Sequence, residues 1–219
     1  MKIIYFDNHI IIAVKPFNLP TQRSLRGNDN LEDIVRMWLK NMYNKPKNVF
    51  LHAAHRLDSC TSGIVIFAKT GKALSRLNEM FRKNEIKKCY YAVVEKDVAN
   101  SECELISYLK HKNYIAEVSS TPKEGYKIAK LRFYKIKSNN NFTLLKILLD
   151  TGRYHQIRAQ LSFAGHPIVG DKKYKSKYDL SKNKIALIHK EIEFTHPVKK
   201  ELMSFSIDLP NEYPFNLFL

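Results

Sequence analysis

The chain has 219 residues, 44% of them hydrophobic, which suits one domain, alone or with a small appendage, and supports a real core. Lys and Arg number 37 against 21 Asp and Glu, a formal charge of +16 and a pI of about 9.7, so the composition favours a polyanionic partner whose counterions basic side chains displace; an AT-rich genome that prefers lysine codons gives the same excess without one. Three cysteines (Cys60, Cys89, Cys103) with no CxxC pair argue against a disulfide framework and a zinc ribbon and fit a reducing cytoplasm, while the opening "MKIIYFDNHIIIAVKP" lacks a signal-peptide layout and no stretch approaches the ~20 apolar residues of a membrane span.

In chain order, "HIIIAV" (9–14) reads as a buried strand that Lys15-Pro16 ends. Residues 17–29 read as a loop. "NLEDIVRMWLKNMY" (30–43) is an amphipathic helix with Leu31, Ile34, Val35, Trp38, Leu39 and Met42 at helical spacing, Asn30 as its cap, and Glu32 and Asp33 in its first turn. "NKPKN" (44–48) is a basic loop. "GIVIFAK" (63–69) is an apolar strand, "KALSRLNEMFRKN" (72–84) a second helix, and "IKKCYYAVVE" (86–95) a strand rich in aromatic and β-branched residues. Short strands follow near 104–109, 113–118, 126–137 and 142–149, with "NNN" (139–141) as a hairpin turn. "TGRYHQIRAQLSFAGHP" (151–167) begins as a turn and becomes a third helix, stopped by Gly165 and Pro167. Strands near 185–189, 191–195 and 201–207 close the chain. Many strands with a few separated helices give an α+β class with a mixed or antiparallel sheet.

Two stretches carry chemistry. In "HRLDSCTSG" (55–63), Asp58 stands between a basic pair, His55 and Arg56, and a hydroxyl-rich turn. It is either a turn-former satisfied by the Thr61 and Ser62 amides or an ionised reagent kept charged by its neighbours. In "GRYHQIR" (152–158), Tyr154, His155 and Arg158 share the helix face opposite Ile157 and Leu161. That face is either solvated, or it offers Arg158 as a two-pronged donor to a buried acid that spacing alone does not name. No GxSxG, P-loop or GxGxxG is present, and "HAAH" (52–55) has the wrong spacing for two metal ligands one helical turn apart. The residues leave open a non-catalytic basic RNA-binding protein and a metal-dependent hydrolase with Asp58 as a ligand; the sparse acids around both motifs oppose the last.

Taken together these stretches resemble the RluA-type family of RNA pseudouridine synthases. "HRLDSCTSGIVIFAK" resembles the motif bearing that family's catalytic aspartate, "YFDNHIIIAVKPFNLPTQ" its opening strand and Lys-Pro turn, "KKCYYAVVE" the segment with an active-site tyrosine, "TGRYHQIRAQLSFAGHPIVGDKKY" its third motif, and "IALIHKEIEFTHPVKKELMSFSIDLP" its closing strands. The motifs fall in order over essentially the whole chain. The resemblance departs from many members in three places. The opening strand starts at residue 3, so no S4-type RNA-binding module is expected ahead of it; Leu187-Ile188-His189 stands where Leu-His-Ala is common; and Phe17 or Asn18 stands where a glycine is common.

What the resemblance implies is a single catalytic domain over 1–219. Its fold would be α+β, a mixed, mostly antiparallel central sheet flanked by helices, with an RNA-binding cleft between two halves. The implied activity is isomerisation of uridine in large-subunit ribosomal RNA or transfer RNA to pseudouridine. Asp58 would be the nucleophile, Tyr90 the active-site tyrosine and Arg158 the partner of the aspartate. Arg56 would displace the flipped base, Leu187 would wall the uracil, and Lys15, His155 and Lys172 would meet phosphate. Tyr91, on the other face of its strand, would stay out of the cleft. No metal or organic cofactor is implied, and a cytoplasmic monomer with RNA as its partner is expected.

Overall fold

The computed structural model describes residues 1–23, 29–44 and 49–219; parts of two expected loops, 24–28 and 45–48, lie outside the described residues. The chain divides into two compact units, one of residues 1–87 and 191–207, the other of 88–190 and 208–219. The strands make a mixed, mostly antiparallel β architecture with three α-helices among the described residues.

In the first unit, β1 (Lys2–Phe6) and β2 (Ile10–Lys15) form a hairpin, and β2 pairs on its other side with β4 (Ser62–Ala68), all antiparallel. A two-residue strand, β3 (His52–Ala53), also pairs with β4. All seven residues of β4 are buried, and so are Ile10 to Ala13 of β2. That is why both read as unbroken apolar runs rather than alternating ones. Helix α1 (Leu31–Met42) starts where expected, with Asn30 Oδ1 accepting from the Asp33 amide at 2.9 Å. Its buried stripe is narrower than its apolar face. Leu31, Val35 and Leu39 are buried but Ile34, Met37 and Met42 are exposed, and Glu32 is buried because it accepts from Gln22, Arg36 and the Ala53 amide. Helix α2 (Gly71–Arg82) is capped by Thr70, whose hydroxyl accepts from the Ala73 amide at 3.1 Å. Ala73 and Leu77 of α2 pack on Ile10, Ile12, Ile64 and Ile66 in one core cluster.

The second unit is built on β5 (Lys87–Glu95), β6 (Glu102–Lys112), β7 (Ile115–Ser119), β8 (Lys127–Ser138) and β9 (Phe142–Leu149), in the order β5-β9-β8-β6-β7 and antiparallel throughout. The Asn139 side chain closes the β8–β9 turn by accepting from the Asn141 and Phe142 amides. The two strands expected at 185–189 and 191–195 are one, β10 (Leu187–Thr195), which pairs with β11 (Leu202–Ser206) at its far end. Lys190 does not interrupt it, because its ammonium stands over the Tyr91 ring at 5.3 Å instead of breaking the ladder.

Helix α3 (Gln156–Phe163) begins later than "TGRYHQIR" suggests. Tyr154 lies in the preceding turn, and His155 has left-handed backbone (φ 51°) at the helix entry. Gln156 folds back to accept from the Thr151 hydroxyl and the Arg153 amide. No face of 156–161 is solvated, since every one of those residues is buried. Gln160 Nε2 reaches the Leu105 and Ala129 carbonyls and Ser107 Oγ, which fastens the helix to β6 and β8.

A buried histidine ties the ends of the first unit. His196 Nδ1 accepts from the Val198 and Lys199 amides, so that nitrogen carries no proton, while Nε2 lies 3.0 Å from Asp7 Oδ2. Asp7 also holds Lys199 at 3.2 Å, the Tyr5 hydroxyl, and the His9 and Ile10 amides, and the His9 ring sits edge-on to His196. Burial, aided by Lys199 and His9 and opposed by Asp7, keeps the His196 pKa below its ordinary 6.5. A lowered folded pKa means the unfolded chain binds the extra proton first. The contribution is therefore whole above pH 6.5 and is lost as pH falls through the lower folded value. The thermal midpoint should drop between pH 7.5 and 5, with a shallower drop in His196→Gln; equal slopes for the two proteins would refute a neutral, structural His196.

Candidate active site

Asp58 is half-buried in the turn between β3 and β4. Its backbone carbonyl accepts from the Thr61 amide at 3.0 Å, as a turn-former's would. The turn is clamped from both sides. Thr21 Oγ1 accepts from the Leu57 amide and donates to the Leu57 carbonyl, both at 3.0 Å. Lys15, at the end of β2, donates to the Ser59 carbonyl at 3.2 Å and to the Leu19 and Pro16 carbonyls at 2.7 and 3.0 Å, and Ser62 Oγ returns to the Lys15 carbonyl at 2.8 Å. The expectation of a phosphate contact at Lys15 gives way here. Its side chain is completely enclosed, and its ammonium is engaged with protein carbonyls. Burial pulls its pKa down to about 8, against the opposing pull of Cys60 and Asp58.

The basic pair before Asp58 splits. Arg56 is exposed. His55 turns inward, where Nε2 accepts from the Ile66 amide at 3.2 Å and the ring lies 5.1 Å from Phe81. An accepting nitrogen bears no proton, so His55 serves the fold. His52 points elsewhere, 3.7 Å from Glu32, and among the described residues no group of three or more His, Cys, Asp or Glu is placed to hold a metal ion.

In the second unit, Tyr90 on β5 is buried and stacks on His189 of β10, with ring centroids 4.5 Å apart and 17° between planes. Tyr91 faces the other way, as strand alternation requires. Leu187 is buried at the start of β10. Arg158 is buried in α3 and gripped by Asp171, Nε to Oδ2 at 2.6 Å and Nη2 to Oδ1 at 2.9 Å. A buried acid does meet the two-pronged guanidinium, and sequence reasoning missed Asp171. It stands in the lysine-rich "GDKKYK", where only its proximity to a tight glycine marks it. Gly170 has φ 88°, and a Cβ there would come within 2.7 Å of the Lys184 carbonyl, so the chain can turn Asp171 inward only at a glycine. The Arg158 guanidinium also lies over the Tyr174 ring at 5.1 Å. Tyr174 accepts from the Ala116 amide at 2.8 Å and lies 3.0 Å from His155 Nδ1; burial raises its pKa to about 12, so it stays a neutral hydroxyl. His155 is half-buried in this network, whereas Lys172 is exposed.

Arg158→Ala should therefore strand a buried carboxylate. A loss of about 3–5 kcal/mol is expected in urea denaturation, with less for the double variant Arg158→Met/Asp171→Leu. A single-variant loss under about 1 kcal/mol would mean that Asp171 has another way to be satisfied.

The profile of the family described as RNA pseudouridylate synthase matches residues 9–163. The chain is 32% identical over 214 residues to the dual-specificity RNA pseudouridine synthase RluA of Haemophilus influenzae, covering 94% of this chain and 92% of that protein. It is also 32% identical over 211 residues to the ribosomal large subunit pseudouridine synthase C of Buchnera aphidicola from Acyrthosiphon pisum, covering 90% of this chain but 63% of that protein. The chain thus spans rather less than two thirds of the length of that synthase C, and 64% of its Vibrio vulnificus counterpart. In fold it is similar to human RNA pseudouridylate synthase domain containing 4, with a TM-score of 0.79 at 20% identity over 95% of this chain and 88% of that one. The chain belongs to the RNA pseudouridylate synthase family.

Proposed function

We propose that the protein isomerises specific uridines of structured RNA to pseudouridine, with Asp58 as the nucleophile. The observation that carries this is the "HRLD" motif at 55–58, set in a turn clamped by Thr21 and Lys15, in a chain that belongs to this family. The clamp suits a reagent better than a turn-former, since a turn needs only the Thr61 amide.

In the reaction the uridine is flipped from its stack, at a cost of a few kcal/mol. The C1′–N1 bond breaks with help from the Asp58 carboxylate, the uracil turns, and a C1′–C5 bond forms. The C5 proton leaves and N1 gains one, so the change is redox-neutral and needs no co-reactant. By motif order, Tyr90 contacts the flipped base and is the candidate to take the C5 proton, and Arg158 supports the aspartate. Arg56 fills the place of the flipped base, Leu187 walls the uracil, and Lys172 and His155 lie toward the phosphates. The names of relatives point to large-subunit ribosomal RNA, and the motif resemblance adds transfer RNA as the second substrate class. The reading takes the enzyme to be a cytoplasmic monomer that uses no metal or cofactor.

The test is release of tritium from RNA labelled at uridine C5. Asp58→Asn should fold and bind RNA like the wild type, yet lower release by about a thousandfold or more. Near wild-type release from folded Asp58→Asn would remove Asp58 from the chemistry.

A further inference from the structure

The hairpin joining β6 to β7 carries a residue that its turn disfavours. Lys112 pairs with Ile115, which leaves Asn113 and Tyr114 as a two-residue loop. Both have left-handed backbone, with φ of 48° and 60°. This is type I′ geometry, in which asparagine suits the first position and glycine the second. A tyrosine at the second position strains the backbone, because its Cβ crowds the following carbonyl. Burial does not offset that strain. Tyr114 is 74% exposed, more than any other large apolar side chain described.

The surroundings hold this tip in place. Lys173 Nζ donates to the Tyr114 carbonyl at 3.2 Å, and the Tyr154 hydroxyl reaches the same oxygen at 3.5 Å. Beside it runs a ladder of rings. His111 lies 4.0 Å from Tyr154 at 36°, and Tyr154 is stacked 3.9 Å from His155 at 20°. His155 in turn meets Tyr174, the buried end of the ladder, and exposed His111 is its outer end. Lys110, Lys112 and Lys173 are exposed here; Glu117 offsets part of their charge through Lys112 at 3.3 Å. A strained, exposed, anchored tyrosine beside an open-ended aromatic ladder and several lysines does little for folding, but it has the makeup of a single-strand nucleic-acid site. Unpaired bases stack on aromatic faces with little regard to sequence, and lysines follow the phosphates. An acidic protein surface would use the lysines and leave the aromatic faces idle.

We propose that the hairpin tip, Tyr114 with His111, Lys112 and Lys173, is a stacking platform that takes one unpaired nucleotide of the RNA other than the reacting uridine. This rests on the reading of the chain as an enzyme acting on RNA, and it would give the second unit a specificity-setting contact that none of the motif residues provides.

The experiment uses an RNA hairpin with a large unpaired loop, carrying 2-aminopurine at successive loop positions. Wild-type protein should quench the fluorescence at one position by stacking. Tyr114→Gly relieves the turn, so its thermal midpoint should hold or rise, yet its affinity for the RNA should weaken roughly 5- to 100-fold and the quenching should vanish. Tyr114→Phe keeps the ring and should stay close to wild type. Wild-type affinity and quenching in Tyr114→Gly, with the wild-type protein isomerising uridine, would overturn the platform and leave the proposed activity standing. A wild-type protein that neither binds nor isomerises RNA would overturn both.

Discussion

The buried ammonium of Lys15 is the interaction on which the arrangement around Asp58 depends. A lysine with no exposed surface is costly, and the fall of its pKa from 10.5 to about 8 corresponds to about 3 kcal/mol against the charged form. What offsets it is geometric. One ammonium has three donors, and here they meet three carbonyls, two in the turn after β2 and one, of Ser59, in the turn that holds Asp58. An apolar side chain of the same length would be easier to bury and would leave those carbonyls unmet, at about 1–3 kcal/mol each. The lysine thereby ties the turn that holds Asp58 to the end of β2, a strand buried at every residue but Val14.

The second unit solves a similar problem with opposite charges. Arg158 and Asp171 are both buried, and each satisfies the other along two parallel bonds. Such a pair adds little net stability over apolar residues, but it fixes the guanidinium plane tightly. Gly170 lets the chain bring the acid in, Gln160 pins the helix to two strands, and Tyr174 covers the guanidinium face. An arginine held this way cannot swing to solvent, which suits a positioning role better than a phosphate contact.

Period and capping made most of the fold legible in the sequence. β4 and β9 lie where the apolar runs lie, and Asn30 caps α1 as its residue type predicts. What stayed hidden shares a cause. Lys15, Gln156 and Gln160 look like surface residues in a chain of charge +16, but each spends its polar atoms on partners that the fold supplies. Asp171 is 13 residues from Arg158, and the Lys15–Ser59 contact spans 44, so no local pattern announces either. The ordered motifs single out Asp58, Tyr90 and Arg158 as candidates; the groups packed around them, Thr21, Lys15, His189 and Asp171, required coordinates. The break expected at Lys190 failed for the converse reason: a half-buried lysine lying over the Tyr91 ring does not end a strand whose Leu187, Ile188, Ile192 and Phe194 are buried on either side of it.

The claim that this chain is a uridine isomerase working through Asp58 is tested most directly by mapping pseudouridine across total RNA from cells that lack the protein, then restoring either wild type or Asp58→Asn. One or a few uridines in ribosomal or transfer RNA should lose pseudouridine in the deletion, regain it with wild type, and stay unmodified with Asp58→Asn. An unchanged map in the deletion, or full restoration by Asp58→Asn, would contradict the account.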